Sequence, residues 1–266
     1  MLKGLFNNQN VERILLFLFV NERCYGTQIQ SILSVPLTPV QKALLRLEKE
    51  GVVQSHYEGK TRLYQFNSSY PLRLELEMLL KKAYTLLSAQ EKKRYCYIHK
   101  PKIALGEERE RDRDRRKELQ KFWEKLAHIQ QLSFSVKARH GEEQSIRIGR
   151  ADVVVSSPSP AVLVFQEKGY WLLGHQIDTA FSNSFRWTLD LAASLISIEH
   201  LRYGMANPVF LFHLTPTKPH VLESVDAHLC AEDTYLGNIA WSEKNIDFHW
   251  RIIGPHKNNH LTYHYV

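Results

Sequence analysis

Between residues 38 and 66 the spacing of apolar positions changes from helical to alternating. Val40, Ala43, Leu44 and Leu47 recur at intervals of three and four, which places them on one helix face, while Gln41, Lys42, Arg46 and Lys49 fall on the other. Thr38 is the expected N-cap and Pro39 the first helical residue, where its missing N–H costs nothing; Gly51 is placed to end the helix. Residues 52–57 and 60–66 read as two short strands around a Glu58-Gly59 turn. Upstream, the run I-L-L-F-L-F-V over 14–20 predicts a buried first helix capped by Asn10, residues 25–33 a second helix, and 34–37 a turn into the third. Downstream, Leu72, Leu76, Leu79, Leu80, Ala83 and Leu87 approximate a helical stripe.

Residues 107–116 hold five acidic and five basic residues in near alternation, a spacing that supports an exposed helix through i, i+3 and i+4 pairs. Phe122, Trp123, Leu126 and Ile129 follow as an apolar cluster expected to dock on a second domain. From about residue 132 the period becomes two. L-S-F-S-V-K-A, A-V-L-V-F, P-V-F-L-F-H-L, I-D-F-H-W-R-I and L-T-Y-H-Y-V are among about ten short strand-like runs, which predict an antiparallel barrel or sandwich. The expected fold is therefore α+β with two domains: a winged helix-turn-helix with a dimerisation helix over 1–90, a charged helical linker over 91–128 and a β-barrel over 129–266.

Two resemblances sharpen this reading. Y-G-T-Q-I, A-L-L-R-L-E-K-E-G-V-V and Y-E-G-K-T-R-L-Y-Q-F-N, within about residues 8–70, resemble bacterial winged-helix regulators of the ArsR, MarR and PadR type. That resemblance implies a DNA-binding dimer. The set His228, Cys230, Asp233, Tyr235 and Gly237, followed by Trp250, Arg251, Gly254, Pro255 and Lys257, looks like an uncharacterised bacterial family with a calycin-like β-barrel; so do Gly149, Ala151, Glu167, Gly169, Arg186, Trp187, Phe212, His213 and Leu214 upstream. It implies a barrel with an internal site and no particular reaction.

Charge adds a direction. Residues 1–128 carry 24 Lys/Arg against 15 Asp/Glu, a net of +9, whereas residues 129–266 carry 11 against 13, a net of −2. A basic half beside a near-neutral half points to a polyanion as partner of the first. Three widely spaced cysteines, Cys24, Cys96 and Cys230, make no CxxC and no disulfide framework, so a reducing cytoplasm is the expected compartment. The run at 14–20 is too short to span a bilayer, which takes about 20 apolar residues, and lacks a small-residue cleavage site.

Candidate DNA-binding residues are Thr38, Gln41, Lys42 and Arg46 on the third helix with Lys60 and Arg62 on the hairpin. Arg suits guanine O6/N7 and Gln suits adenine N6/N7, while wing cations suit phosphates. Candidate ligand-binding residues are Arg186, His213, His228, Tyr235 and Arg251; Arg251 and Lys257 also suit packing over Trp250 at the barrel end, a role the calycin-like resemblance implies. His228 and Cys230 share a strand face and, with His213 or His249, have the ligand types of a metal site. Cys230, His228 and Asp233 have those of a nucleophile site, but neighbours on one strand seldom align as nucleophile and base. No metal, cofactor or catalytic set is assigned. The expected function is a homodimeric DNA-binding transcriptional regulator whose barrel binds a small-molecule effector. The alternatives are a ligand-binding or enzymatic barrel that uses the winged helix for protein assembly, and a structural dimer without an effector.

Overall fold

A computed structural model describes residues 2–6, 8–58, 61–96, 108–140, 143–173 and 176–266. The chain forms two compact units, Met1–Tyr97 with Ile253–His256, and Ile98–Ile252 with Lys257–Val266.

The first unit contains α1 (Lys3–Phe6), α2 (Gln9–Asn21), β1 (Arg23–Tyr25), α3 (Gly26–Leu33), α4 (Leu37–Lys49), β2 (Val53–Glu58), β3 (Thr61–Phe66), α5 (Arg73–Thr85) and α6 (Ala89–Tyr95). The apolar run at 14–20 is buried throughout. Its helix is capped by Asn8, whose extended backbone lets the side chain accept from Asn10 N at 2.8 Å; Asn10, the expected cap, is already helical. On α4 the helix likewise begins before the expected cap: Pro36 stands at the cap position without a side-chain bond, and Thr38 is an exposed first-turn residue. Val40, Ala43, Leu44 and Leu47 form its buried face. Gly51, at φ +72°, takes the left-handed turn that ends the helix, with Val52 N donating to Leu47 O. The chain then enters β2 and β3, antiparallel from Val53↔Phe66 to Glu58↔Thr61, and β1 adds to the other side of β3 to give the order β1-β3-β2.

α5 departs from its expected stripe. Glu77, Leu80, Ala83 and Tyr84 are buried, whereas Leu72, Leu79 and Leu86 are exposed at seven-residue spacing together with Met78. Gly59 of the Glu58-Gly59 turn, Lys60 and residues 97–107 of the connector lie outside the described residues.

The second unit contains α7 (Glu108–Leu126) and β4 (Gln131–His140), β5 (Glu143–Ser159), β6 (Val162–Leu173), β7 (Gln176–Asp190), β8 (Leu195–His200), β9 (Val209–Lys218), β10 (Val221–Ser224), β11 (His228–Cys230), β12 (Asp233–Trp241), β13 (Ile246–Ile253) and β14 (Asn258–Tyr265). The sheet runs β10-β9-β8-β7-β6-β5-β4-β14-β13-β12-β11, and a further β10–β12 pairing closes it into a ten-stranded antiparallel β-barrel. β11 pairs beside β12 beyond the end of β10.

Alternation sends Leu132 and Phe134, Leu163 and Phe165, Phe185 and Trp187, Ile196 and Ile198, and Phe248 and Trp250 into the core. Helix α7 closes one end. Its Leu119, Phe122 and Leu126 are fully buried in that core. Trp123 Nε1 donates to Pro160 O (3.0 Å) in the β5–β6 turn and Lys125 Nζ to Glu243 O (2.8 Å) in the β12–β13 turn; Glu118 Oε2 accepts from His220 N (3.2 Å) in the β9–β10 turn. The charged segment and the apolar cluster thus belong to one helix.

Two glycines fix how the wall coils. A Cβ at Gly149 would lie 2.2 Å from Phe134 Cζ, and one at Gly169 would lie 1.9 Å from Arg150 O. The first absence lets the Phe134 ring lie across its neighbour strand and meet Trp171 and Phe181 edge-on at 4.8 and 5.1 Å; the second lets β5 and β6 approach at the Ala151↔Gly169 pair.

Candidate functional site

The first candidate surface is the solvent side of α4. Because the apolar stripe faces inward, Thr38, Gln41, Lys42 and Arg46 are left exposed, with Lys49 beyond them. Arg62 behaves differently. Its guanidinium donates to both Glu48 oxygens (2.9 and 2.7 Å) and to Ser55 Oγ (2.7 Å), and it lies 5.4 Å from the Tyr64 ring centroid. It therefore ties the β2–β3 hairpin to α4 instead of standing free in solvent. Lys60 lies outside the described residues. Leu45 and Tyr57 are exposed large apolar residues in the same region, and the Tyr25 hydroxyl donates to Glu58 Oε2 at 2.5 Å.

In the second unit the five expected ligand residues do not converge. Arg186 pairs across the ladder with Glu199 (2.6 Å), which holds the guanidinium still further into its charged range. Arg251 Nη1 donates to Asn259 O at 3.5 Å. His213, His228 and Tyr235 do come together. Phe210 lies 4.5 Å from the His213 ring and 5.0 Å from His228, and His228 lies 5.9 Å from Tyr235. His213 is exposed and shares a hydrogen bond with Ser197 Oγ. Tyr235 donates to Asp233 Oδ2, which also takes Lys257 Nζ at 2.5 Å. This group occupies the gap where β9 runs past the end of β10 and β11 pairs with β12, and Lys257 is a salt-bridge partner there.

The chemistry inside the barrel centres on a residue outside the expected ligand set, Glu167. It lies on the inward row Leu163, Phe165, Glu167 of β6 and is fully buried. Tyr265 OH donates to Oε1 at 2.7 Å and Asn183 Nδ2 to Oε2 at 3.5 Å. Burial pushes its carboxyl up to about 7, against the two hydrogen bonds, which favour the carboxylate. Burial, and after it the Glu167 charge, pushes the Tyr263 and Tyr265 hydroxyls up. Aromatic rings continue the surroundings: Tyr265 meets Phe165 edge-on at 5.9 Å and Tyr263 at 6.0 Å, and Trp250 stacks on Tyr263 at 5.3 Å. The indole N–H groups of Trp187 and Trp250 are buried without a hydrogen-bond partner.

An open cleft of about 380 Å³ lies beside this centre, lined by Ser182, Asn183, Ser184, His200, Leu201 and Arg202. It sits at the end of β8 remote from α7. His200 pairs with Phe185 in the β7–β8 ladder and stacks on it at 4.8 Å; burial, then Arg202, lowers its pKa. Asn183 belongs both to the cleft and to the Glu167 hydrogen-bond set. Among the described residues, no group of three or more His, Cys, Asp or Glu is placed to hold a metal ion, and no helix is long and apolar enough to cross a membrane.

A family model described as "Family of unknown function (DUF6314)" matches residues 129–266. No curated protein and no solved structure matches the chain.

Proposed function

The chain belongs to the DUF6314 family of unknown function, and we propose that it is a DNA-binding transcriptional regulator with an effector-binding barrel. The observation that carries this reading is the exposed polar face of α4, with Gln41, Lys42 and Arg46 directly ahead of the β2–β3 hairpin. The order α2, α3, α4, β2, β3, with β1 added to the sheet, supports reading this unit as a winged helix-turn-helix, in which α4 would enter the major groove. Arg46 then reads a guanine edge or a phosphate, Gln41 an adenine edge, and Lys42 a phosphate. Two such helices on a roughly palindromic site require a dimer. The exposed Leu72, Leu79 and Leu86 on α5 suit a second copy as partner, because a symmetric pair buries the same stripe twice. The barrel acts as the sensor: an effector that binds better to one dimer state shifts the population that holds DNA.

In-vitro selection of double-stranded DNA by the full chain tests this reading. An enriched, two-fold symmetric motif is expected, with specific binding weakened by about 1–3 kcal/mol in Arg46→Ala if that residue reads a base. The absence of any enriched motif at both low and moderate salt overturns it. A second reading is favoured by Leu45 and Tyr57, which are exposed apolar residues beside the α4 face. In it the helix and hairpin dock a protein, and the barrel is the active part.

A further inference from the structure

We infer that the mouth of the barrel binds a small zwitterion, a molecule of amino-acid size whose ammonium group meets Glu167 and whose carboxylate meets Arg202. This inference rests on the reading of the barrel as an effector domain and gives that effector a chemical class.

Glu167 is an acid sealed inside the barrel, and among the described residues no Lys, Arg or His lies within ion-pair distance of it. Its two hydrogen-bond partners, Tyr265 and Asn183, are neutral, and the Asn183 contact is long at 3.5 Å, so Oε2 retains capacity for a stronger donor. Around it stand the rings of Tyr265 and Tyr263, with Trp250 stacked on the latter. A carboxylate among aromatic rings is the chemistry that receives an ammonium ion: the acid supplies the opposite charge and the rings supply their negative faces. The opposite chemistry lines the approach. His200 and Arg202 bring imidazole and guanidinium donors to the cleft, which suits a carboxylate. Asn183 is the element common to both. Turning its amide away from Oε2 joins the cleft to Glu167, and the incoming ammonium replaces the hydrogen bond that was lost. A free amine would meet Arg202 on the way in, and a free carboxylate would meet Glu167 at the end; a zwitterion satisfies both ends.

The test is calorimetric titration of the full chain with a panel of α-amino acids, beside n-butylammonium and n-butyrate, each of which carries one of the two charges. Saturable binding of at least one amino acid is expected, with both single-charge analogues at least about tenfold weaker. Glu167→Gln should abolish binding and Arg202→Gln should weaken it about tenfold, roughly one decade of Kd. Affinity should rise from pH 6 to pH 8 as Glu167 ionises. Tyr263 and Tyr265 stay protonated over that range because burial raises them, and His200 is held toward its neutral form. If Glu167→Gln fails to fold, Asn183→Leu, which removes the amide shared by the cleft and Glu167, serves in its place and should weaken binding. Affinity unchanged in these variants, butylammonium binding as tightly as the amino acids, or no saturation by any member of the panel each overturns the inference. The readout contains no DNA. An enriched operator without amino-acid binding therefore removes this inference alone, and amino-acid binding without an operator removes only the DNA reading.

Discussion

Arg62 Nη2 lies 2.7 Å from Glu48 Oε2, joining the second strand of the hairpin to the last turn of α4. Both side chains keep a quarter to a third of their surface in solvent. One nitrogen, Nη2, donates to both Glu48 oxygens, and Nε donates to Ser55, so the contribution belongs within the range for surface pairs, about 1 kcal/mol at most. Glu48→Ala should lower the thermal midpoint slightly, and more at low than at high salt. On the proposed DNA-binding reading, Arg62→Ala should change the salt dependence of binding less than Arg46→Ala does, because its charge is already paired. An equal loss in the two variants would mean that the ion pair opens on DNA.

Glu167 makes stability depend on pH. A carboxyl raised to about 7 in the folded chain, from an ordinary value near 4.5, binds its proton more tightly folded than unfolded. Its contribution is complete below about pH 4.5 and is lost as pH rises through 7, a change of about 3 kcal/mol for a fully buried group. Glu167→Gln should flatten this limb, leaving the variant more stable than the parent at pH 8. Urea unfolding at pH 5 and pH 8 measures it; parallel curves for parent and variant would show that folding does not raise the Glu167 carboxyl.

Gly169→Ala should be severely destabilising, because the new methyl would meet backbone, Arg150 O at 1.9 Å, and the strands would have to part. Gly149→Ala meets the Phe134 ring, which can turn aside at the expense of its contacts with Trp171 and Phe181. Overpacking of this kind costs about 1–3 kcal/mol or more, and chemical denaturation should rank Gly169→Ala as the worse of the two.

Phe122→Ala on α7 removes a fully buried ring that packs against Trp187 and Trp241. A loss of about 3–5 kcal/mol in the stability of the barrel unit is expected. Tryptophan fluorescence should report it directly. A loss below about 1 kcal/mol would mean that the helix does not seal the barrel in solution.

The barrel was legible because period-two alternation with aromatic and β-branched residues persists for more than a hundred residues, and short turns leave an antiparallel order as the simple solution. The caps were misplaced by one or two residues, at Asn10 for Asn8 and at Thr38 for Pro36, since several nearby residues can cap and backbone geometry chooses among them. The stripe on α5 was read as one face, yet Leu72 and Leu79 are exposed while Glu77 and Tyr84 are buried; periodicity marks a stripe without saying what covers it. Inside the barrel, the histidines and arginines named from the sequence do not mark the buried centre. The signal for Glu167 was nevertheless present: in L-V-F-Q-E-K-G-Y-W it shares the parity of Leu163, Phe165 and Trp171, so an acid stands in an apolar row. The gathering of His213 and His228 around Phe210 depends on where β10 ends between β9 and β12, which no local pattern records.

The closing arrangement of the barrel also dictates when it can form. β14 stands between β4 and β13, with Tyr265 opposite Leu132 and Val266 exchanging backbone hydrogen bonds with Gln131. As the polypeptide leaves the ribosome, β4 emerges early and then waits through eight further strands of the ring for its second neighbour, β14. Until residue 265 is free of the exit tunnel the sheet has two open edges, and Glu167 has no Tyr265 hydroxyl to meet. The most recently made strand is thus the one that turns an open sheet into a sealed container, so the interval of greatest exposure to mispairing ends at the close of synthesis of this unit.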